Sequence, residues 1–335
     1  MKSLILAIES SCDETGIAVI ENGNIIRSNV VVSQIDIHKA FGGVIPEVAS
    51  RKHTEVISVV LKQAISEANI NVSEIDAVAY TVGPGLIGAL HIGAIAAKTI
   101  ALILNKPLIA TNHIFGHIMA NKFVAELKFP LLAVIVSGGH TELISINESF
   151  EYSMLGTTQD DAIGEAYDKV ARLLNLGYPG GKVIDDLSKV GQPIYPLPVA
   201  KTESKLDFSF SGLKSAVLQL IKREEKKGNV VKVEDVAASF QEAAVSQIIS
   251  RVDYALKQGE YKQVVVGGGV AANSYLREEI VKLVKGSYKI EAIVPPMKYC
   301  TDNGAMIGAA AHELYIRGKF SNFDQESKSS NITLI

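Results

Sequence analysis

The chain has 335 residues, with 33 basic and 36 acidic side chains and a net charge of −3. That length accommodates two ordinary domains. The charge balance excludes a global basic field, so a nucleic-acid substrate would have to be met by a local surface or with a partner's help. Cys12 and Cys300 are the only cysteines, which excludes a disulfide framework and fits a reducing, cytoplasmic setting.

In chain order, residues 4–8 are an apolar β-rich run and 9–16 a polar loop. Residues 17–20 and the run from Ile25 onward flank an Asn22-Gly23 turn, a hairpin signal. A helix is expected over 46–69, with Val48, Ile57, Leu61 and Ile65 at helical spacing. A strand at 77–81, the loop Gly83-Pro84-Gly85, an apolar helix at 86–104 and a strand at 108–110 follow. The 86–104 run is near membrane-spanning length, but it contains His91, Lys98 and two glycines and follows a turn. It reads as a core helix, with no membrane association.

Residues 131–156 then repeat the opening: strand 131–136, loop 137–142, strand 143–146 and strand 152–155. A helix is expected over 158–175. Strand 263–266, the loop Gly267-Gly268-Gly269, a helix over 271–285 and strand 289–294 close the second copy. Two copies of one α/β order imply two similar domains facing across a central cleft, as in the actin-like and Hsp70-like ATPase plan. The expected division is 1–112 plus about 303–335, and 113–302. The second part carries a helical insertion at about 176–262, including helices at 210–227 and at 235–256, the latter capped by Asp235. The last dozen residues read as disordered.

Three patterns carry chemistry. Gly-rich or polar loops at equivalent places in both copies suit phosphate binding through backbone amides and helix N-termini. Neither a Walker loop nor a dinucleotide fingerprint is present. Second, His113 and His117 share one face of a helical turn and either bind one metal ion or are two satisfied histidines at a domain junction. A zincin-type peptidase would need Glu beside the first His, and position 114 is Ile. Asp302 is the best third ligand, and it is also placed to cap the helix starting at Gly304. Third, Asp161, Glu165 and Asp168 line one helix face; Asp168, near the Tyr178-Pro179-Gly180-Gly181 turn, is the one suited to a ribose or an amine-bearing substrate. No residue identifies itself as a general base, and His140 is a candidate only by type.

The strings ESSCDETGIAV, GGVIPEVASRKH, TVGPGLIGAL, NHIFGH, VSGGHTEL, DDAIGEAYDKVARLLNLGYPGG, FSFSGLK, GGGVAAN and CTDNGAMIG run through the whole chain in unbroken order. Together they resemble the universal tRNA threonylcarbamoyladenosine-synthesis family. The resemblance implies an actin-like fold. It also implies transfer of threonylcarbamoyl from threonylcarbamoyl-adenylate to the exocyclic amine of the adenosine 3′ of the anticodon, in tRNAs reading codons that begin with A. Carried over by position, the metal ligands are His113, His117 and Asp302, holding one divalent ion, with iron, zinc and magnesium as candidates. The substrate-binding residues are Val136, Ser137, Gly138, Gly139, His140, Asp168, Gly181, Asp185 and Asn273, and Asp13 and Glu14 are the acidic pair near the reaction centre. The implied partners are tRNA, a paralogous subunit of the same fold and an accessory ATPase. One departure stands out: the family commonly carries Glu where this chain has Phe115, so any support that Glu gives the ligands is lost. The rival reading is an ATP-dependent kinase or chaperone-like ATPase of the same fold.

Overall fold

The computed structural model describes residues 3–330 and 333–334. The chain divides into two compact units, residues 1–126 with 301–335, and residues 127–300.

In the first unit, β1 (Leu4–Glu9), β2 (Glu14–Glu21) and β3 (Ile25–Ser33) form an antiparallel meander. Asn22 and Gly23 both have positive φ, the geometry a tight hairpin needs. A short α1 (Ile35–Lys39) precedes α2 (Pro46–Ala68), which starts on a proline at its first position and stops at the left-handed Asn69. Next come β4 (Ala77–Gly83), α3 (Ile87–Leu104), β5 (Leu108–Asn112) and α4 (His113–Met119). The strand order is β3-β2-β1-β4-β5, with β1, β4 and β5 parallel.

The second unit repeats this. β6 (Leu131–Val136), β7 (Thr141–Ile146) and β8 (Tyr152–Thr157) lead to α5 (Ile163–Leu173). Helices α6 (Gly180–Ser188), α7 (Ser211–Lys226) and α8 (Val233–Gln258) fill the expected insertion. Then β9 (Gln263–Gly267), α9 (Ser274–Leu283) and β10 (Glu291–Ile293) complete a sheet of order β10-β9-β6-β7-β8. Read from its other edge this is the order of the first sheet, so the duplication seen in the sequence is a duplication of topology. Finally α10 (Gly304–Ile316) returns to the first unit.

The first sheet is buried on both faces. Leu4, Leu6 and Ile8 pack with Val60 of α2 and Ala94 and Ala97 of α3, whereas Ala18 and Ile20 pack with Ala305 of α10. Two sites show how close these layers come. A Cβ on Gly93 would stand 2.3 Å from Ser10 Oγ, and one on Gly304 would stand 2.6 Å from the backbone nitrogen of Ala18.

Several expectations need correction. The first unit extends past 112, to 126, and regains the chain at 301, because α4 packs on α10 rather than joining the second unit. The turn expected at 178–181 gives way to helix at Gly180, since Pro179 occupies the cap position of α6. Helix α5 begins at Ile163 rather than 158, because Thr158 instead bridges to Phe208. Helix α9 begins at Ser274, where the Asn273 side chain caps it by accepting from Leu276 N–H. Asp235 lies inside α8 and accepts from Gln192 N–H, with Lys232 at the cap position. Helix α3 is long and apolar enough to cross a membrane by length and composition, and a third of it is buried. It is a layer helix, with Ala89, Leu90, Gly93, Ala94, Ala97 and Ala101 buried and Ile95, Leu102 and Ile103 exposed. Of the last dozen residues, 331, 332 and 335 lie outside the described residues. Among the others, Lys328 N–H donates to Val82 O and Ser329 O accepts from Gly85 N–H, both partners in the first unit.

The close seating of α10 on β2 gives a stability prediction. Gly304→Ala forces a methyl group into backbone and should cost about 1–3 kcal/mol, as overpacking does. Asn303→Ala, which removes a cap and a hydrogen bond to Thr301 O but forces nothing into backbone, should cost about 1 kcal/mol. Thermal unfolding should rank the two variants in that order.

Candidate functional site

β1 is apolar until its last residue, Glu9, which is fully buried. Its Oε1 accepts from Ser11 N–H at 2.5 Å, and its Oε2 accepts from the Thr81 hydroxyl of β4 at 2.5 Å. The same Oε2 stands 3.2 Å from His113 Nδ1. Burial acts against this carboxylate's charge, yet His113 and the Ser11 hydrogen bond hold its pKa below the ordinary value.

His113 opens α4 immediately after β5, and the Asn112 side chain caps that helix by accepting from Ile114 and Phe115 N–H. One turn on, His117 presents its ring 4.7 Å from that of His113, nearly perpendicular to it. Asp302 Oδ1 lies 3.6 Å from His113 Nε2 and 3.2 Å from His117 Nε2. Asn303, not Asp302, caps α10, accepting from Met306 N–H. Asp302 thus lies one residue outside the cap, beside the histidines.

One ligand atom from each of His113, His117 and Asp302 lies within 4.8 Å of the others, all in the first unit. The 3.2 Å approach of His117 Nε2 to Asp302 lacks hydrogen-bond geometry, and both ring nitrogens of this buried side chain have no hydrogen-bond partner among the described residues. A buried imidazole without a partner costs free energy that a cation would recover. Two imidazoles and one carboxylate are a donor set that zinc and iron accept, with positions left for an oxygen ligand. Phe115, where the resembling family carries Glu, is fully buried.

The expected acidic pair, Asp13 and Glu14, lies in the first unit where β2 begins. Asp13 is buried, and the pKa of Glu14, at the start of β2, is pushed up to about 9 by burial first and then by Asp302 and Asp13. His53 of α2 holds the loop before them: its Nε2 donates to Cys12 O at 2.9 Å while its Nδ1 accepts from the Thr15 hydroxyl at 2.7 Å.

The expected substrate residues are all in the second unit: 136–140 at the end of β6, Asp168 in α5, Gly181 and Asp185 in α6, and Asn273 before α9. Val136 ends β6, and Ser137 closes a turn with His140, donating its N–H to His140 O and accepting His140 N–H on its hydroxyl. Gly164 N–H of α5 donates to Ser137 O. A Cβ on Gly138, Gly139 or Gly181 would meet nothing within 4 Å. Gly268 differs: its φ is +93° and a Cβ there would stand 2.4 Å from Val136 O, so it is glycine for the fold. Asp168 accepts from Gly180 N–H, and Asp185 accepts from the Ser274 N–H and hydroxyl. Asn273 donates to Gln241 and Tyr167 as well as capping α9. Asp161 and Glu165 both pair with Lys169.

Glu9, Thr81 and His53 were missed by sequence reasoning. A lone carboxylate closing an otherwise apolar strand was the available signal for Glu9. Its partners, 72 and 104 residues away, left none.

Two units with the same five-strand order define a duplicated actin-like ATPase fold. Solved structures share it at low identity. T. kodakarensis HypF superposes with a TM-score of 0.60 and 15% identity, over 95% of this chain and 48% of that one. The activator of the 2-hydroxyisocaproyl-CoA dehydratase from Clostridium difficile superposes with a TM-score of 0.53 and 16% identity, over 95% and 97%. Within that class, residues 25–309 match the family TsaD, tRNA N6-adenosine threonylcarbamoyltransferase, and the chain belongs to it. The relative of that name from Listeria monocytogenes is 50% identical over 97% of this chain and 95% of its own. The one from Dictyoglomus turgidum is 51% identical over 94% of each. This is an acyltransferase family, not a peptidase one, in keeping with Ile at position 114.

The raised pKa of Glu14 has a pH consequence. Its folded-state pKa lies above the unfolded value, so the folded metal-free protein holds a proton that the unfolded chain releases. Stability should therefore be full below about pH 4.5 for this group and fall as pH rises towards about 9. Denaturant unfolding of metal-stripped protein should show that decline, and Glu14→Gln should flatten it.

Proposed function

We propose that this chain transfers threonylcarbamoyl from threonylcarbamoyl-adenylate to the exocyclic amine of the adenosine 3′-adjacent to the anticodon, in tRNAs that read codons beginning with A. The supporting observation is the gathering of His113, His117 and Asp302 in a chain that belongs to this family over most of its length.

The adenine amine is a weak nucleophile because its lone pair is delocalised into the ring. Rate must therefore come from an activated donor held close and aimed. The amine nitrogen bonds to the carbamoyl carbon, the bond from that carbon to the phosphate oxygen breaks, AMP leaves and one amine proton is released. In the second unit, the open space at Gly138, Gly139 and Gly181 lets backbone amides approach a phosphate closely. Asp168 and Asp185 orient the walls of that region through Gly180 and Ser274, and Asn273 holds the start of α9. In the first unit, His113, His117 and Asp302 would hold one divalent cation, iron or zinc before magnesium. Bound there, the cation supplies Lewis-acid polarisation of a carbonyl oxygen. Asp13 and Glu14 stand beside that group as the catalytic candidates. The adenosine lies in a tRNA loop and can be presented without opening a duplex.

A paralogous subunit of the same fold and an accessory ATPase complete the reading. Helices α2 and α3 pack side by side, and Val59 on one and Ile95, Leu102 and Ile103 on the other are more than half exposed. Such apolar surface suits a docked partner, and a net charge of −3 suits a tRNA grip shared with one. The two free cysteines are in keeping with the cytoplasm.

Labelled-threonine incorporation into tRNA tests the activity, with each component omitted in turn. Transfer should need this chain, and depleting it from cells should remove threonylcarbamoyladenosine from tRNA; persistence of that nucleoside would overturn the reading. His117→Ala and Asp302→Ala should lose most bound metal by elemental analysis and slow transfer at least about 100-fold, a loss comparable to removing a key electrostatic group, with the circular dichroism spectrum intact. Gly139→Val should fold normally yet lose the rise in melting temperature that adenine nucleotides give the unaltered protein through linkage.

A further inference from the structure

Glu9 is a buried ionisable group to which the transfer chemistry assigns no role. We propose that Glu9 is a positioning residue for the cation site, accepting the Nδ1–H of His113 and so fixing that ring with its Nε2 lone pair toward His117 and Asp302. The inference rests on the reading of His113, His117 and Asp302 as a cation site.

A carboxylate can only accept hydrogen bonds. Ser11 N–H occupies Oε1 of Glu9 and the Thr81 hydroxyl occupies Oε2, each at 2.5 Å, so the carboxylate is pinned by two donors from two different segments. His113 Nδ1, 3.2 Å from that Oε2, must therefore be the protonated nitrogen. The Ser11 hydroxyl, 3.1 Å from the same nitrogen, adds a second contact on that side of the ring. Nε2 is then the nitrogen left to face a cation, and it is the one 3.6 Å from Asp302 Oδ1. His117 has no such support, because neither of its ring nitrogens has a hydrogen-bond partner among the described residues. The two histidines are thus unequal: His113 is set before a cation arrives, and His117 is not. Position 115, where the family resemblance offered a carboxylate, holds Phe, so the support comes from the end of β1.

A purely structural Glu9, needed only to anchor the Ser11 turn and Thr81, predicts something different. Glu9→Gln keeps the shape and can still accept from Ser11 N–H. Its amide would, however, present N–H to His113 Nδ1 and draw the ring into the opposite tautomer, with a proton on Nε2. The probe is Co²⁺, read by its visible absorption and by competition with Zn²⁺, alongside ¹⁵N resonances of histidine-labelled, metal-free protein. The His113 signal is assigned by its loss in His113→Gln. The unaltered protein should show His113 protonated at Nδ1. Glu9→Gln should shift it toward Nε2–H and weaken Co²⁺ binding about 10–100-fold, the usual cost of losing such a partner, with an unchanged melting temperature. Thr81→Val should weaken binding in the same direction but less. Equal Co²⁺ affinity and an unshifted tautomer in a folded Glu9→Gln would overturn the inference. So would a His113 without a proton on Nδ1 in the unaltered protein, a result that stands even if Glu9→Gln fails to fold. Failure of the unaltered protein to bind Co²⁺ or Zn²⁺ would instead overturn the cation reading, and the tautomer measurement would still decide the role of Glu9.

Discussion

A strand buried on both faces tolerates a polar group only at its end, and only where that group finds every partner it needs. β1 meets this condition at Glu9. Thr81, near the end of the neighbouring parallel strand β4, and His113, just past the next one, β5, both reach that carboxylate. Three adjacent strands are thereby tied together at the same edge of the sheet, the edge where parallel α/β folds place their ligands. The turn at Ser11, the start of α4 and the Asp302 segment all take their positions from that edge. Were the sheet to slip by one residue, Glu9 would be carried into the apolar layers, where its charge could not be satisfied.

Duplication gives the chain a second edge of the same kind, and the two have diverged. At the ends of β1, β4 and β5 the side chains are ionisable and packed against one another. At the ends of β6 and β9 the chain instead carries glycines with vacant space beside them, bordered by carboxylates that are already engaged in holding helix starts. One edge concentrates charge and the other exposes backbone. The first suits a cation and the second an anionic group, and a duplicated scaffold supplies both without a new fold.

Much of this was legible in the sequence for local reasons. The Asn22-Gly23 turn, the paired strand runs and the i, i+4 histidines are set by near neighbours and by residue type. Where the reading slipped, the deciding interaction was not local. Asp302 and Asn303 are both good caps, and only the packing of α10 on β2 shows which one caps and which faces the histidines. Pro179-Gly180-Gly181 reads as a turn until Asp168 is seen holding Gly180 N–H, which starts a helix there. Glu9 was visible only as an oddity at the end of an apolar strand, because its partners belong to other strands of the sheet.

The return of α10 to the first unit also bears on how the chain comes to be folded. During synthesis from the N-terminus, β1 to β5 emerge early, but the helix that covers Ala18 and Ile20 belongs to the last part of the chain. The whole of residues 127–300 must be made before Thr301 and Asp302 can join the first unit. Until then one face of the sheet has no cover and the two histidines have no carboxylate. These are contacts of high sequence separation, which form late and leave apolar surface exposed while they are awaited. The ligand group is therefore assembled only once Asp302 has been made, and a product truncated before α10 retains two histidines and an uncovered sheet.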